Sequence, residues 1–142
     1  ILILISVVSE KVISSELVNS PLSSSLNIIT RLMYGGITEE ILMRFGLMTF
    51  LVWIIAKISN SESNWVFLFA ILISSLMFAL GHLPIVYETV EVVSFGLVTY
   101  ILIANSIAGM VYGYLYWKKG LECSMISHMA THITFVVANF LF

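Results

Sequence analysis

The chain has 142 residues, of which 60% are hydrophobic and only 10% are charged, and its mean hydropathy is +1.07. Soluble domains carry about 25% charged residues, so this composition excludes an ordinary soluble domain and predicts an integral, multi-pass membrane protein. The net charge of −2 is uninformative about partners, and no basic patch suggests nucleic acid, so none is predicted as a partner. The single cysteine, Cys123, excludes an intrachain disulfide and a cysteine-based zinc cluster.

The first 31 residues are predicted to precede the main domain. Residues 1–8 form an apolar run too short to cross a bilayer, so we expect a truncated N-terminal helix and a chain cut from a longer protein. Residues 9–31 are polar, Ser-rich and interrupted by Pro21, which predicts a connection. The main domain is predicted over residues 32–142.

About four complete membrane-spanning helices are predicted in the main domain, at residues 33–56, 65–82, 92–117 and 121–142. Long apolar runs are helices in membranes, because lipid-exposed open sheets leave backbone groups unpaired. Leu83-Pro84 ends the second span, and the turn Lys118-Lys119-Gly120 separates the last two. The predicted fold class is therefore an all-α, polytopic transmembrane helix bundle, and the cell membrane is the expected location.

The third predicted span carries two patterns. Gly109 and Gly113 form Gly-x-x-x-Gly, which favours close approach of another helix. Four aromatic residues near the end of the span are interpreted as a belt at the membrane interface. These are Tyr112, Tyr114, Tyr116 and Trp117.

Two adjacent glutamates and an arginine lie within the first predicted span. A charge at membrane depth costs from about 2.5 to more than about 10 kcal/mol, so Glu39, Glu40 and Arg44 indicate a functional site. In an α-helix, Glu40 and Arg44 share a face and can form an ion pair. Glu39 would diverge from Arg44 by about 140° and would be free to face a cavity. Thr38 is expected to cap a helix beginning there, which places both carboxylates in its first turn.

All three histidines of the chain, His82, His128 and His132, lie within or at the end of an apolar span. His128 and His132 are four residues apart and are expected to share a helix face. Ser124 and Ser127 are expected to face elsewhere, and neither is interpreted as a nucleophile. A single histidine in a membrane is often only a hydrogen-bond partner between helices, and we interpret Asn139 in that structural way.

Two chemistries fit these residues taken together. In the first, Glu39 takes a proton from a water that attacks an amide, and the imidazoles hydrogen-bond the water and the developing oxyanion. In the second, Glu39 and the three histidines bind a metal such as zinc, although the His-Glu-x-x-His motif is absent. Transport of ions through the polar core is a third class, which the shortness of the polar stretch disfavours.

The chain resembles the CPBP family, which contains type 2 CAAX prenyl proteases and bacteriocin-processing (Abi) proteins. Three blocks carry the resemblance, in order and each in an apolar span. They are Glu39-Glu40-Ile41-Leu42-Met43-Arg44, Phe78-Ala79-Leu80-Gly81-His82 and His128-Met129-Ala130-Thr131-His132. The resemblance covers about residues 33–140.

The resemblance implies roles for individual residues. Glu39 is the expected water-activating base, and His82 is expected to help hold the water. His128 is expected to stabilise the oxyanion. His132 stands where the family usually has Asn, and a neutral imidazole can still donate one hydrogen bond. Glu40 and Arg44 are expected to support the site.

Two further departures, Met43 in place of Phe and Gly46 one position late, are interpreted as packing changes. The sequence therefore predicts an intramembrane endopeptidase that acts on membrane-associated peptides, either prenylated or leader-type. Its predicted partners are a peptide or protein substrate and the lipid bilayer. No cofactor is predicted, with zinc as the alternative. The alternative function is a non-catalytic membrane scaffold or bacteriocin-immunity protein that uses the same polar core for binding.

Overall fold

The computed structural model of the protein describes residues 28–141, with side chains up to residue 138. Every regular element in that part of the chain is helical, which confirms the all-α prediction. The helix predicted at residues 1–8, the connection around Pro21 and the side chain of Asn139 lie outside what is described.

Five helices make up the described fold. The first, α1, is continuous and the longest, with 32 residues. The helices are α1 (Ile28–Ser59), α2 (Asn64–Gly81), α3 (Leu83–Thr89), α4 (Phe95–Lys119) and α5 (Leu121–Leu141). Pro84 stands in the first turn of α3, where its missing N–H is tolerated, and this separates α3 from α2 at His82 as predicted. Glu88 lies in α3.

Three stretches of the described residues are long and apolar enough to cross a membrane. They are α1, the combined α2 and α3, and α4. The fourth predicted span corresponds to α5, which is not among the three because its serine, threonine and histidine side chains lower its hydropathy. The protein is thus a polytopic helical membrane protein.

The first two-thirds of α1 is wound more widely than an α-helix. It forms π-helical turns over Arg31–Glu39 and Ile41–Met48, in which hydrogen bonds join residues five apart. The Thr38 hydroxyl donates to the Met33 carbonyl at 3.2 Å. Thr38 therefore lies inside a helix and does not cap one, and the prediction that both glutamates occupy a first helical turn is wrong.

Helices α2 and α4 form the most extensive contact of the bundle. A Cβ atom on Gly109 would lie 3.1 Å from the Cα of Ser75, and one on Gly113 would lie 3.2 Å from the Ile71 side chain. The close helix approach predicted from Gly-x-x-x-Gly is therefore confirmed. The Ser94 hydroxyl caps α4 by accepting from the Leu97 amide at 3.1 Å.

Two apolar clusters hold the bundle together beside the polar centre. The first has Met48, Ala70 and Ile71 at its heart, joining α1 to α2, with Tyr116 and Trp117 of α4 packed against it. The second joins α3 to α4 and contains Val86, Val90, Leu97 and Ile101. Phe78 lies on α2, after Ile71 of the first cluster and before Val86 of the second. It contacts several residues of the polar centre.

Candidate active site

Glu40 is the buried centre of the polar cluster, with 0% of its surface exposed. Its Oε2 atom accepts from the Ser124 hydroxyl at 2.5 Å and from Arg44 Nε at 3.2 Å. Its Oε1 atom lies 2.9 Å from His128 Nδ1. Three donors on two helices therefore surround one carboxylate, which is the arrangement that makes burial of a charge tolerable.

Arg44 is equally buried and forms the ion pair with Glu40 that the four-residue spacing predicts. Its two terminal nitrogens make no hydrogen bond to the described residues. The guanidinium carbon lies 5.2 Å from the Phe78 ring centroid and 5.9 Å from that of Tyr112. Cation–π attraction to these two rings offsets part of the cost of burying the charge.

His128 has its two ring nitrogens turned towards two different carboxylates. Glu40 already accepts from Arg44 and Ser124 and is ionised, so it can only accept from His128, and Nδ1 must carry a proton. In the neutral ring, Nε2 is therefore an acceptor. It lies 4.0 Å from Glu39 Oε2. That separation suits a water that donates one hydrogen to each.

Glu39 is the accessible carboxylate of the adjacent pair. Its side chain is 22% exposed, whereas that of Glu40 is 0% exposed. The expected divergence of about 140° from Arg44 assumed α-helical turns, and it does not apply to the wider turns of α1. The two glutamates therefore have different surroundings. The Glu40 carboxylate accepts from three protein donors, whereas Glu39 Oε2 lies 4.0 Å from His128 Nε2.

Aromatic rings fix the surroundings of His128. The Tyr112 ring stacks on it at 4.6 Å with 19° between the planes, and the His132 ring does so at 4.9 Å and 18°. The edge contact with Phe78 is at 5.6 Å. Tyr112 is only 2% exposed, so its assignment to an interfacial belt is wrong. Its spacing of three residues from Gly109 was the available signal, since such residues share a helix face.

His132 packs directly on α1. Its Nε2 atom occupies the space that a Cβ on residue 35 would take. The Met129 side chain likewise occupies the space that a Cβ on residue 36 would take. The Gly35-Gly36 pair thus allows α5 to approach α1 closely, a role that the sequence did not reveal. His132 Nε2 is buried and has no hydrogen-bond partner among the described residues.

His82 shares Phe78 as a ring neighbour with His128. Its Nδ1 lies 2.8 Å from the Phe78 carbonyl, which can only accept, so Nδ1 carries the proton and Nε2 of the neutral ring accepts. Its ring contacts Phe78 at 4.6 Å, and Phe78 also contacts His128. The structure therefore brings together Glu39, Glu40, Arg44, His128 and His132, and it places His82 on the other side of Phe78.

The prediction that Ser124 faces away from His128 is wrong. It lies four residues before His128, so the two side chains share a face of α5 and both reach Glu40. Its hydroxyl is also 3.0 Å from the Tyr112 carbonyl. Being fully buried against a carboxylate and a backbone carbonyl, Ser124 supports the site.

The metal-binding alternative has no matching arrangement in the part of the chain that is described. No three His, Cys, Asp or Glu side chains there converge closely enough to hold a metal ion. The Nδ1 atoms of His82 and His128 are engaged by Phe78 and Glu40, so only their Nε2 atoms could bind a metal.

Comparison with protein-family models gives one match, over residues 21–134, to the family described as type II CAAX prenyl endopeptidase Rce1-like. The match covers about four fifths of the chain and includes all three sequence blocks. Searches of curated proteins and of solved structures found no match.

Proposed function

The chain belongs to the Rce1-like family of type II CAAX prenyl endopeptidases, and from this premise we propose that it cuts peptide bonds with a water activated by Glu39. The family makes the protein an integral membrane protease in general terms. The assignment of roles to individual residues is our proposal.

The observation that carries the proposal is the 4.0 Å separation between Glu39 Oε2 and His128 Nε2. A water between them donates one hydrogen to the carboxylate and the other to the imidazole. Its oxygen lone pair is then free to attack a peptide carbonyl carbon. Glu39 takes the proton as the carbon–oxygen bond forms. Glu39 then returns that proton to the leaving nitrogen as the carbon–nitrogen bond breaks.

Glu40 has a different task in this proposal, which is to set the protonation of His128. With Nδ1 protonated against Glu40, the neutral ring presents Nε2 as an acceptor for the water. The oxyanion role that the resemblance implies for His128 would need a second proton on this ring, and the proposed steps supply none, since the proton of the water goes to Glu39. In this proposal His128 therefore holds the water, and the oxyanion is left to His132.

His82 and His132 complete the proposed site. Both hydrogens of the shared water are donated to Glu39 and His128, so in this proposal His82 lies beside the site and supports it through its ring contact with Phe78. The His132 Nε2 atom is turned to Gly35, so donation to an oxyanion falls to its Nδ1 atom. Arg44 acts through Glu40 and does not meet the substrate.

We propose substrates that are peptides held at the membrane, prenylated or leader-type. The test is cleavage of a library containing farnesylated and unmodified peptides by purified protein in detergent. Wild type, Glu39→Gln and Glu88→Gln are compared, each with and without a strong zinc chelator. Glu88 is a matched control because it is an exposed glutamate on α3, outside the cluster.

The proposal expects cleavage by wild type and Glu88→Gln, none by Glu39→Gln, and no effect of the chelator. Loss of cleavage on chelation, restored by zinc, would replace the glutamate–water mechanism with a metal-dependent one. Peptide binding without cleavage by any form would leave a membrane scaffold.

A further inference from the structure

Tyr112 is buried beside the proposed catalytic pair, and the mechanism above does not use it. Its exposed fraction is 2%, and it lies on α4, whereas His128 lies on α5. One hydrogen bond from Nδ1 to Glu40 fixes one point of the His128 ring, and its tilt about that bond is limited by the neighbouring rings of Tyr112, His132 and Phe78. Tilting would move Nε2 away from Glu39.

The stacking contact with Tyr112 is the closer of the two stacked contacts that restrain the His128 ring. The Tyr112 and His128 rings are 4.6 Å apart and only 19° from parallel, so the tyrosine face defines the plane in which the imidazole lies. Stacked aromatic pairs stabilise a structure beyond the area that they bury.

Tyr112 is itself held in place by α5. Its hydroxyl donates to Thr131 Oγ1 at 2.7 Å, and Thr131 donates in turn to the Ser127 carbonyl at 3.1 Å. The tyrosine carbonyl lies 3.0 Å from the Ser124 hydroxyl, which also contacts Glu40. Tyr112 therefore has polar contacts with α5 before and after His128.

From this geometry we infer that Tyr112 is a positioning residue, which holds the His128 ring in the plane that aims Nε2 at the water shared with Glu39. This deepens the proposed function and rests on it. Tyr112 touches neither the water nor the peptide in this account, so its ring acts on the rate through the position of His128.

The test compares Tyr112→Leu, Tyr112→Phe and the control Tyr114→Leu. Tyr114 is a suitable control because it lies on the same helix, is 52% exposed and is outside the cluster. Leucine removes the stacking ring, and kcat should fall by about 10- to 100-fold with KM within about twofold, as expected for a misplaced catalytic group. Phenylalanine keeps the ring and should restore most of kcat.

A second measurement does not depend on cleavage. Diethyl pyrocarbonate modifies accessible imidazoles, and mass spectrometry gives the rate at each histidine. Tyr112→Leu should speed the modification of His128 several-fold relative to His82 in the same molecule, while Tyr112→Phe and Tyr114→Leu should not.

The two measurements separate the two claims. If the wild type cuts no peptide, the proposed function is wrong, but the rate at which diethyl pyrocarbonate modifies His128 still tests the position of its ring. Folded Tyr112→Leu with unchanged kcat and an unchanged rate at His128 overturns the inference. A Tyr112→Phe variant as impaired as Tyr112→Leu also overturns it, since the hydroxyl and not the ring would then matter.

Discussion

The Nδ1 atom of His128 lies 2.9 Å from the Oε1 atom of Glu40, a residue 88 positions earlier in the chain. This contact joins α1 to α5, and the Ser124 hydroxyl adds a second link from α5 to the same carboxylate. Because Glu40 and Arg44 are fully buried, the charges that tune His128 also hold the bundle together. In the proposed mechanism, stability and catalysis are thus coupled through Glu40.

Removing Glu40 and removing Arg44 should both destabilise the protein, but by different amounts. Glu40→Gln leaves Arg44 buried without a counter-charge and should lower the free energy of unfolding by about 3–5 kcal/mol. Arg44→Met should cost less, because Glu40 keeps Ser124 and His128 as partners. Unfolding in mixed detergent measures both. Equal stability of Glu40→Gln and wild type would contradict this account.

Ser124→Ala should weaken the support of Glu40 without removing its charge partners. A hydrogen bond to a charged group contributes about 1.5–3 kcal/mol, so we expect a loss of that order in the free energy of unfolding. Ser127→Ala is the matched control, since Ser127 is a serine on the same helix whose side chain makes no contact with Glu40. The same unfolding measurement applies, and equal losses in the two variants would argue against the Ser124–Glu40 contact.

Gly35→Ala should disturb His132. The added Cβ would occupy the position of His132 Nε2, so the histidine or α5 must move, at about 1–3 kcal/mol for an overpacked site. Gly81→Ala is the control, because a Cβ there meets nothing within 4 Å. Thermal unfolding should show a lower melting temperature for Gly35→Ala only. Equal melting temperatures would mean that α1 and α5 are not so closely packed.

Sequence spacing predicted the contacts that lie within one helix. The Glu40–Arg44 pair and the shared face of His128 and His132 both follow from a four-residue separation, and both are present. The all-α, membrane-spanning fold followed from composition. The Gly109 pattern correctly predicted close helix packing, although it did not identify Ser75 as the neighbour.

The spacing of residues in the sequence could not predict contacts between different helices. Nothing local in the sequence shows that Tyr112 of α4 would stack on His128 of α5, and its aromatic neighbours suggested a membrane interface instead. The Thr38 cap failed for a different reason. A polar residue before two glutamates is typical of a helix start, but α1 continues through it with wide turns. Ser124 was misjudged although its four-residue spacing from His128 was visible.

Gly109→Ala should separate α2 from α4. Its Cβ would lie 3.1 Å from the backbone Cα of Ser75, which cannot yield without moving the helix. We expect a loss of about 1–3 kcal/mol in unfolding free energy. In Gly96→Ala the nearest atom would lie 3.8 Å away, so the better helix propensity of alanine should leave stability unchanged or slightly raised. If Gly109→Ala were as stable as wild type, this would contradict the close approach of α2 and α4 at Gly109.

The most direct test of the central claim is the ratio of kcat between wild type and Glu39→Gln on one identified peptide, with the protein reconstituted in lipid. Glutamine keeps the shape of Glu39 and removes its basicity. General-base catalysis contributes about 10²- to 10⁴-fold, so the account predicts a fall in kcat within or above that range. Cleavage by Glu39→Gln within a few-fold of wild type would contradict the account, because Glu39 could not then be the base.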